Sequence, residues 1–230
     1  MDGEQGSSAH WIPLADLMTG LMMVFMLLTA AFMLRVEQTT TLVVKEYEET
    51  KADMLRALQQ EFDKDLKQWN ADLLGDMTIR FKDPKVLFAT GSAELRPQFK
   101  EVLKDFFPRY VALITSEKYR DAVKEIRVEG HTSSFWATST DVQTAYFHNM
   151  ELSQARTRSA LEFLLNLKSI SEERTWLIEH VTANGLSSSR PLNPDDRSPK
   201  AEQSNQRVEF RIVTNASDRM DQIARELSAH

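Results

Sequence analysis

The sequence predicts an α/β fold, an α+β sandwich in which helices pack on one sheet, preceded by a single N-terminal transmembrane helix and a helical linker. Three observations lead to this prediction: an uncharged apolar run near the N-terminus, a charged segment with apolar residues at helical spacing, and alternating helices and strands through the remaining residues. The expected boundaries are 1–10 for a cytoplasmic tail, 11–35 for the transmembrane helix, 36–75 for the linker or dimerisation stalk, 76–216 for the folded domain and 217–230 for a terminal helix or tail.

The composition restricts the class of protein. A length of 230 residues suffices for one domain of ordinary size and an appended segment. The formal net charge of −6 argues against nucleic-acid binding, which requires a concentrated basic face. The chain has no cysteine, which excludes disulfides and thiolate metal sites. No phosphate-binding loop, nucleophile elbow or metal-spaced cluster is recognisable, so we expect neither an enzyme nor a bound cofactor.

The apolar run between residues 17 and 34 contains no formally charged residue. Extended back to Ile12, it would form a helix about 34 Å long, enough to cross the hydrocarbon core of a bilayer. A cleaved signal peptide would have basic residues before the run, and residues 1–10 contain no Lys or Arg. We therefore expect a retained membrane helix.

One acidic residue, Asp16, lies inside this helix, about 6 Å from its start. A carboxylate at the centre of a membrane helix costs roughly 2.5–3.5 kcal/mol, and less near the end. Thr19 and Gly20 follow at i+3 and i+4, which places them on the same helix face. Asp16 either handles ions or complements the positive end of a helix opened by Pro13.

The sequence of residues 15–25 resembles the transmembrane helix of MotB-type stator subunits. The shared pattern is A-D-x-M-T-x-x-M-x-x-F, with Trp11 just upstream. The resemblance implies that Asp16 binds and releases protons or sodium ions and that Thr19 lines the ion path. It also implies a ring-forming partner, a ZorA- or MotA-like membrane subunit, which surrounds two copies of the chain, a homodimer.

The segment after the membrane helix is rich in charged residues and carries one apolar stripe. The stripe consists of Leu55, Leu58, Phe62, Leu66, Trp69 and Leu73, at steps of three and four. This spacing predicts a single amphipathic helix. The helix either forms a coiled-coil contact in a dimer or packs on the domain that follows it.

Beyond Gly75, the pattern predicts short strands between helices. Strands are predicted at Met77–Phe81, Glu125–Glu129, Val181–Gly185 and Arg207–Val213, and Val86–Phe88 follows a turn at Asp83 and Pro84. Helices are predicted at Leu95–Ile114, Met150–Leu167, Glu172–His180 and Ala216–Leu227. A proline inside a helix removes one hydrogen bond, so Pro108 predicts a kink or break in the first of these helices.

Four stretches within residues 77–214 resemble the peptidoglycan-binding OmpA C-terminal family, in the family's order: residues 88–97, 128–132, 149–156 and 205–210. The resemblance implies a sheet with helices on one face and a pocket for the peptide stem of peptidoglycan. In that family an Asn and an Arg hold the diaminopimelate group, and they correspond here to Asn149 and Arg156, with Leu152 between them. Without the family match, Asn149 would be read as a helix cap and Arg156 as half of a surface ion pair.

The chain departs from the family at one ligand position. The family follows Gly-His-Thr with an Asp that meets the ligand's ammonium group, whereas this chain has Ser133 and then an insertion through Phe147. Asp141 lies in that insertion and is our candidate substitute. We expect His131 to be a turn residue rather than a ligand.

The two resemblances together describe a stator that couples an ion-carrying helix to a wall-binding domain. Flagellar motors and Zorya anti-phage defence systems both use this plan. The acidic N-terminal tail and the missing family Asp favour the Zorya branch, with ion flow used in sensing or signalling infection. The alternatives are a passive membrane-to-wall tether, in which Asp16 is only a helix-end charge, and a TolR- or ExbD-like energy-transducing subunit, which the OmpA-like stretches disfavour.

We expect a single-pass protein of the bacterial inner membrane, with a cytoplasmic N-terminus and a periplasmic domain. One signal opposes this orientation, because Arg35, Lys45 and Lys51 follow the apolar run and residues 1–10 contain no Lys or Arg. The positive-inside rule would then leave the domain in the cytoplasm. Because peptidoglycan is found only outside the inner membrane, we follow the resemblance.

Overall fold

The chain divides into two units, of which the first reaches to Glu48 and the second begins at Glu49. The computed structural model describes residues 11–136 and 141–215. The predicted tail at 1–10 and the predicted terminal helix at 216–227 lie outside the described residues. An α/β domain preceded by an apolar helix and a further helical region confirms the predicted fold class.

Helix α1 (Trp11–Leu66) begins with the apolar segment. Pro13–Gln38 is 26 residues long with a mean hydropathy of 2.2, and by length and composition it could cross a membrane. Between Leu14 and Leu34 its large apolar side chains are at least half exposed on every side of the helix, from 50% for Leu21 and Phe32 to 71% for Met26 and Leu27. A helix that is apolar all round is stable in lipid or against partner helices rather than in water.

The last part of α1 packs into the second unit. Met54, Leu58 and Phe62 are fully buried there, and the ring of Phe62 lies 5.4 Å from that of Phe106. Of the two interpretations of the apolar stripe, packing on the following domain is the one that these contacts show. The predicted helix is too long, because α1 ends at Leu66 and the stripe residue Leu73 lies in a strand.

A five-stranded sheet forms the centre of the second unit. Its strands are β1 (Ala71–Leu73), β2 (Thr78–Phe81), β3 (Val123–His131), β4 (Val181–Gly185) and β5 (Arg207–Thr214). Their order is β1-β2-β5-β3-β4, and all neighbours are antiparallel except β3 and β4. The four predicted strands are confirmed, with β3 longer than predicted at both ends.

The remaining helices are α2 (Pro84–Leu87), α3 (Pro97–Ile114), α4 (Val142–Leu165), α5 (Arg174–His180) and α6 (Pro199–Asn205). The turn at Asp83 continues into α2, since its carbonyl accepts hydrogen bonds from the N–H groups of Val86 and Leu87. The predicted break at Pro108 is wrong, because α3 runs through it. Phe106, Phe107 and Tyr110 flank the proline, and their complete burial holds the helix against the core.

The core lies between one face of the sheet and α3. Phe210 of β5 and Phe81 of β2 meet Phe106 of α3 edge to face, with ring centroids 5.1 and 5.3 Å away. Side chains alternate between the two faces of a strand, so the neighbours of Phe210, which are Glu209 and Arg211, point to the opposite face. The sheet thus has an aromatic face and a charged face.

Two glycines bring α4 directly onto the sheet. A Cβ atom on Gly130 of β3 would lie 2.7 Å from Thr157 Cγ2 and 2.9 Å from the carbonyl oxygen of Ser153. One on Gly185 of β4 would collide with the backbone nitrogen of Gln154. The Gly-His-Thr stretch therefore requires glycine because the backbone of α4 lies against it, and this contact fixes the height of α4 above the sheet.

Candidate peptidoglycan-binding site and intramembrane carboxylate

A cavity of about 330 Å³ opens beside α4. Four parts of the second unit form it: the loop before α3, the segment after β3, one face of α4, and the residue between α6 and β5. Its lining residues are Thr90, Gly91, Thr132, Ser133, Phe135, Trp136, Asn149, Leu152, Arg156 and Gln206. The sequence-predicted residues Asn149, Leu152 and Arg156 are thus brought together, as their spacing on one helix face requires.

Arg156 is a buried cation in the wall of this cavity, only 7% exposed. Its Nε donates to the carbonyl of Ser92 at 2.9 Å and its Nη2 to the carbonyl of Ala89 at 3.3 Å. The guanidinium also lies over the ring of Phe88, 5.0 Å from its centroid. Among the described residues no carboxylate pairs with it, and burial lowers the pKa of Arg156 to about 10. The reading of Arg156 as a surface ion pair is therefore wrong.

The loop that receives Arg156 depends on Gly91. Its φ of 67° lies in the left-handed region, which favours glycine. The turn is closed by a hydrogen bond of 3.0 Å from the N–H of Ser92 to the carbonyl of Ala89. Both carbonyls that hold the guanidinium therefore belong to one tight turn, so the position of Arg156 is set by backbone rather than by another charge.

Asn149 lies inside α4 and does not cap it. The helix begins earlier than predicted, with Asp141 as its cap, so the reading of Asn149 as a helix cap is wrong. Asn149 is 2% exposed, and its Nδ2 donates to the carbonyl of Phe135 at 3.1 Å. Leu152, half-buried, adds an apolar surface to the same wall.

Asp141 occupies the helix cap rather than the cavity wall. Its Oδ2 accepts the N–H of Thr144 at 2.7 Å, and hydrogen bonds from Thr144 lower the pKa of Asp141. Ser133, at the family's Asp position, does line the cavity, and none of the described lining residues is acidic. The cavity as described thus offers a cation and neutral polar groups.

The segment after β3 is held in place by a residue that the sequence reasoning missed. Glu202 of α6, 3% exposed, accepts the N–H and the hydroxyl of Ser134, both at 2.7 Å. Next to Ser134, Phe135 is 62% exposed, and the ring of Trp136 stacks on that of His148 at 5.1 Å and 19°. The adjacent aromatic residues in the insertion were the available signal, whereas nothing in the sequence links Glu202 to them.

His131 lies in a strand on the charged face of the sheet, so the expectation of a turn residue is wrong. It is buried beside Glu129 and Glu209, and ligand atoms of these three residues lie within 4.8 Å of one another. The Nε atoms of Arg80 and Arg207 both contact Oε1 of Glu209 at 2.7 Å. Burial raises the pKa of Glu209, but contacts with His131 and the arginines outweigh it and hold this pKa well below its usual range. These two arginines compensate the Glu209 carboxylate, and Arg190 and Arg211 lie 3.6 Å from Oε2 of Glu129, which favours a structural role for the cluster.

In the first unit, Asp16 lies on the exposed surface of α1. Thr19 follows at i+3, and its hydroxyl donates to the carbonyl of Ala15 at 2.8 Å. Among the described residues the Asp16 carboxylate has no hydrogen-bond or ion-pair partner. In a membrane such a group needs either protonation or a partner from another chain.

Comparison with known proteins places this architecture in a family. Residues 87–207 match the OmpA family. The Zorya protein ZorB of Escherichia coli is 40% identical over 222 residues, which cover 94% of this chain and 93% of that protein. A crystal structure of a putative MotB-like protein from Desulfovibrio vulgaris shares the fold, with a TM-score of 0.51 at 24% identity, over 76% of this chain and 98% of that one. The chain therefore belongs to the OmpA family, as a MotB-like, ZorB-like protein with an OmpA domain.

Proposed function

We propose that the chain is an inner-membrane stator subunit that is anchored to peptidoglycan and carries ions through Asp16 in an anti-phage defence machine. The observation that carries this proposal is the likeness to Zorya protein ZorB, which extends over both the apolar helix and the sheet domain. We further propose that the chain is not an enzyme and needs no cofactor beyond the translocated proton or sodium ion.

The cavity supports the anchoring part of the proposal. A buried guanidinium without a carboxylate partner is costly, and an incoming anion relieves that cost. The peptide stem of peptidoglycan carries carboxylates, onto which the guanidinium of Arg156 can fork. Leu152 offers apolar surface to the aliphatic part of the same group.

Sedimentation with purified cell-wall sacculi tests the anchoring. Arg156→Ala should abolish co-sedimentation, and Arg156→Lys should recover only part of it because an ammonium group cannot fork. Arg158 is the matched control, since it lies on the same helix and is exposed. Arg158→Ala should sediment like the wild type. Sedimentation of Arg156→Ala at the wild-type level would refute anchoring through this cavity.

The apolar helix supports the ion-handling part. Its exposed surface is suited to contact with a ring of ZorA- or MotA-like membrane helices around two copies of the chain. Inside such a ring the Asp16 carboxylate would alternate between a bound and a released ion, and Thr19 would line the path. Partner helices that move past Asp16 would then convert ion flow into rotation.

Phage plating on cells that carry the whole operon tests ion handling. At matched membrane levels, Asp16→Asn should abolish protection, whereas Glu37→Gln, which removes a charge from the other end of the span, should not. Thr19→Ala and Thr29→Ala form a second matched pair, because both hydroxyls donate to the carbonyl four residues earlier at 2.8 Å. Only the first should reduce protection.

Two alternatives remain as outcomes of this experiment. If protection survives Asp16→Asn, the chain is a passive tether and Asp16 is a helix-end charge. If the wild-type operon gives no protection but restores swimming to a stator-deficient strain, the chain is a flagellar MotB-type subunit. Either outcome would replace the proposal that the chain carries ions in an anti-phage defence machine.

A further inference from the structure

We infer that Phe135 and Trp136 form a platform for a sugar ring of the glycan strand, beside the cavity that receives the peptide stem. We call these two residues the aromatic rim. The inference rests on the proposed function, because it assumes that peptidoglycan is the ligand of the cavity. It adds a second class of contact, carbohydrate stacking, to the carboxylate contact of Arg156.

The aromatic rim is continuous with the peptide-stem cavity. Both of its side chains line the same cavity as Arg156. Phe135 is 62% exposed, so its ring is open to a ligand. A ligand held by Arg156 therefore has an accessible aromatic surface within the same cavity.

Three contacts hold the rim in place. Glu202 accepts two hydrogen bonds from Ser134, immediately before Phe135. Asn149 donates to the carbonyl of Phe135 at 3.1 Å, and the ring of His148 covers one face of Trp136. A binding surface whose groups are already fixed loses less entropy when a ligand binds, so this arrangement favours recognition.

The groups around the rim match a sugar better than a purely apolar ligand. A pyranose ring has an apolar C–H face, which packs on an aromatic ring, and a belt of hydroxyl groups, which require hydrogen bonds. The side-chain amide of Gln206 and the hydroxyl of Thr90 line the cavity, and neither has a protein partner within the described part of the chain. The hydroxyl of Thr132 is likewise buried and unsatisfied.

The size of the cavity places the sugar on the rim rather than inside. About 330 Å³ is at the small end of ligand pockets, enough for the end of one side chain but not for a disaccharide as well. Three residues of extended peptide stem span about 10 Å. The sugar and the diaminopimelate group of one ligand can therefore lie about 10 Å apart. One ligand can therefore engage Arg156 through its stem and the rim through its glycan.

Titration calorimetry on the full chain in detergent, with two ligands, tests the inference. The first ligand is the free peptide stem, and the second is the same stem joined to its disaccharide. Trp136→Ala should weaken binding of the disaccharide-peptide by about tenfold and leave the free stem unaffected. Trp136→Phe, which keeps a flat ring, should retain most of the affinity. Ile178→Ala, which removes an apolar side chain on α5 that is about as exposed as Phe135, should change the affinity for neither ligand.

The other outcomes separate failure of the rim from failure of the site. Equal losses for both ligands would overturn the inference, because the rim would then only support the cavity. Unchanged affinity of Trp136→Ala for both ligands would overturn it as well. If the wild type binds neither ligand, the peptidoglycan proposal itself fails and the sugar platform fails with it.

Discussion

At the scale of single residues, two buried arginines differ in the groups that compensate their charge. Arg156 and Arg207 are 7% and 5% exposed, and burial lowers the pKa of each. Arg207 has a carboxylate partner, because its Nε lies 2.7 Å from Oε1 of Glu209. Arg156 has only two backbone carbonyls. Of these two arginines, the one without a carboxylate partner is the one that lines the cavity of about 330 Å³.

Loss of the Glu209 carboxylate should destabilise the domain. Glu209→Gln leaves Arg80 and Arg207 without their shared partner inside the sheet face, so we expect the free energy of unfolding to fall by about 3–5 kcal/mol. Glu101→Gln, at an exposed ion pair with Lys104, should cost less than ~1 kcal/mol. Urea unfolding of the full chain in detergent measures both, and equal effects would contradict the structural role of the cluster.

The same cluster should make stability depend on pH in two steps. Burial lowers the pKa of His131, and the opposing effect of Glu209 does not overcome it. The unfolded state then binds the proton more readily, so stability is lost as the pH falls below about 6.5. Because the pKa of Glu209 is lowered as well, a second loss should begin below about 4.5. Urea midpoints across this range should show both steps in the wild type, and His131→Gln should lack the first.

At the scale of elements, α4 carries the site because two glycines let its backbone lie on β3 and β4. The hydrogen bonds between Gln154 and β4 reinforce this contact, since its amide donates to the carbonyl of Ala183 and accepts the N–H of Gly185. Asn149 lies five residues before Gln154 and Arg156 two residues after it, so both are within about one and a half helix turns of this anchor. The ligand-binding face of α4 is thus positioned by its contact with the sheet.

A methyl group at Gly185 should therefore push α4 away from the sheet. We expect Gly185→Ala to destabilise the domain by ~1–3 kcal/mol or more, because the new Cβ meets helix backbone and not a side chain that can move. Gly75→Ala is the control, since a Cβ there meets no atom within 4 Å. Thermal unfolding of the two variants compares them. A neutral Gly185→Ala would show that α4 can shift without cost.

At the scale of the whole molecule, the chain joins an apolar helix of 26 residues to a soluble domain of mixed charge. Under the proposed function the domain meets peptidoglycan, which requires it to lie outside the inner membrane. The basic residues near the end of this apolar segment and after it, among them Arg35 and Lys51, would by themselves favour the opposite orientation. The few charges involved make this a weak preference, which translocation of a large domain can override.

A reporter fused to the C-terminus checks the orientation directly. An alkaline phosphatase fusion should be active, because that enzyme works only after export, and a fluorescent protein that folds only in the cytoplasm should be dark. The same fusions on a chain that lacks residues 11–38 serve as the control and should show the reverse. The reverse result for the full chain would place the domain in the cytoplasm and remove peptidoglycan as its ligand.

Local sequence patterns predicted most helices and strands, but they did not predict contacts between residues that are distant in the sequence. The alternation of Val208, Phe210 and Ile212 with charged neighbours predicts β5. In the structure these three residues are buried in the core, as the alternation predicts. His131 was misplaced because a Gly-His-Thr sequence is typical of a turn, and its burial depends on Glu209 in another strand. The start of α4 was misplaced because the cap at Asp141 precedes residues of weak helical pattern.

The candidate site was only partly predictable for the same reason. Asn149, Leu152 and Arg156 are neighbours on one helix face, so sequence spacing alone groups them. The carbonyls of Ala89 and Ser92 that hold the guanidinium lie far away in the chain, and a backbone acceptor leaves no trace in the residue type. Glu202 belongs to a separate short helix and meets Ser134 only in the folded domain.

The strand order of the sheet bears on how the protein reaches its destination. β5, the last strand within the described residues, lies between β2 and β3, so this sheet cannot be completed until synthesis has passed Thr214. Pairings between residues so distant in sequence form slowly, because the entropy cost of closing a long loop comes before the strands gain any favourable contacts. The nascent domain consequently stays open while most of it is still emerging from the ribosome. A chain in that state can be threaded through a secretion channel, and its fold is then assembled on the far side.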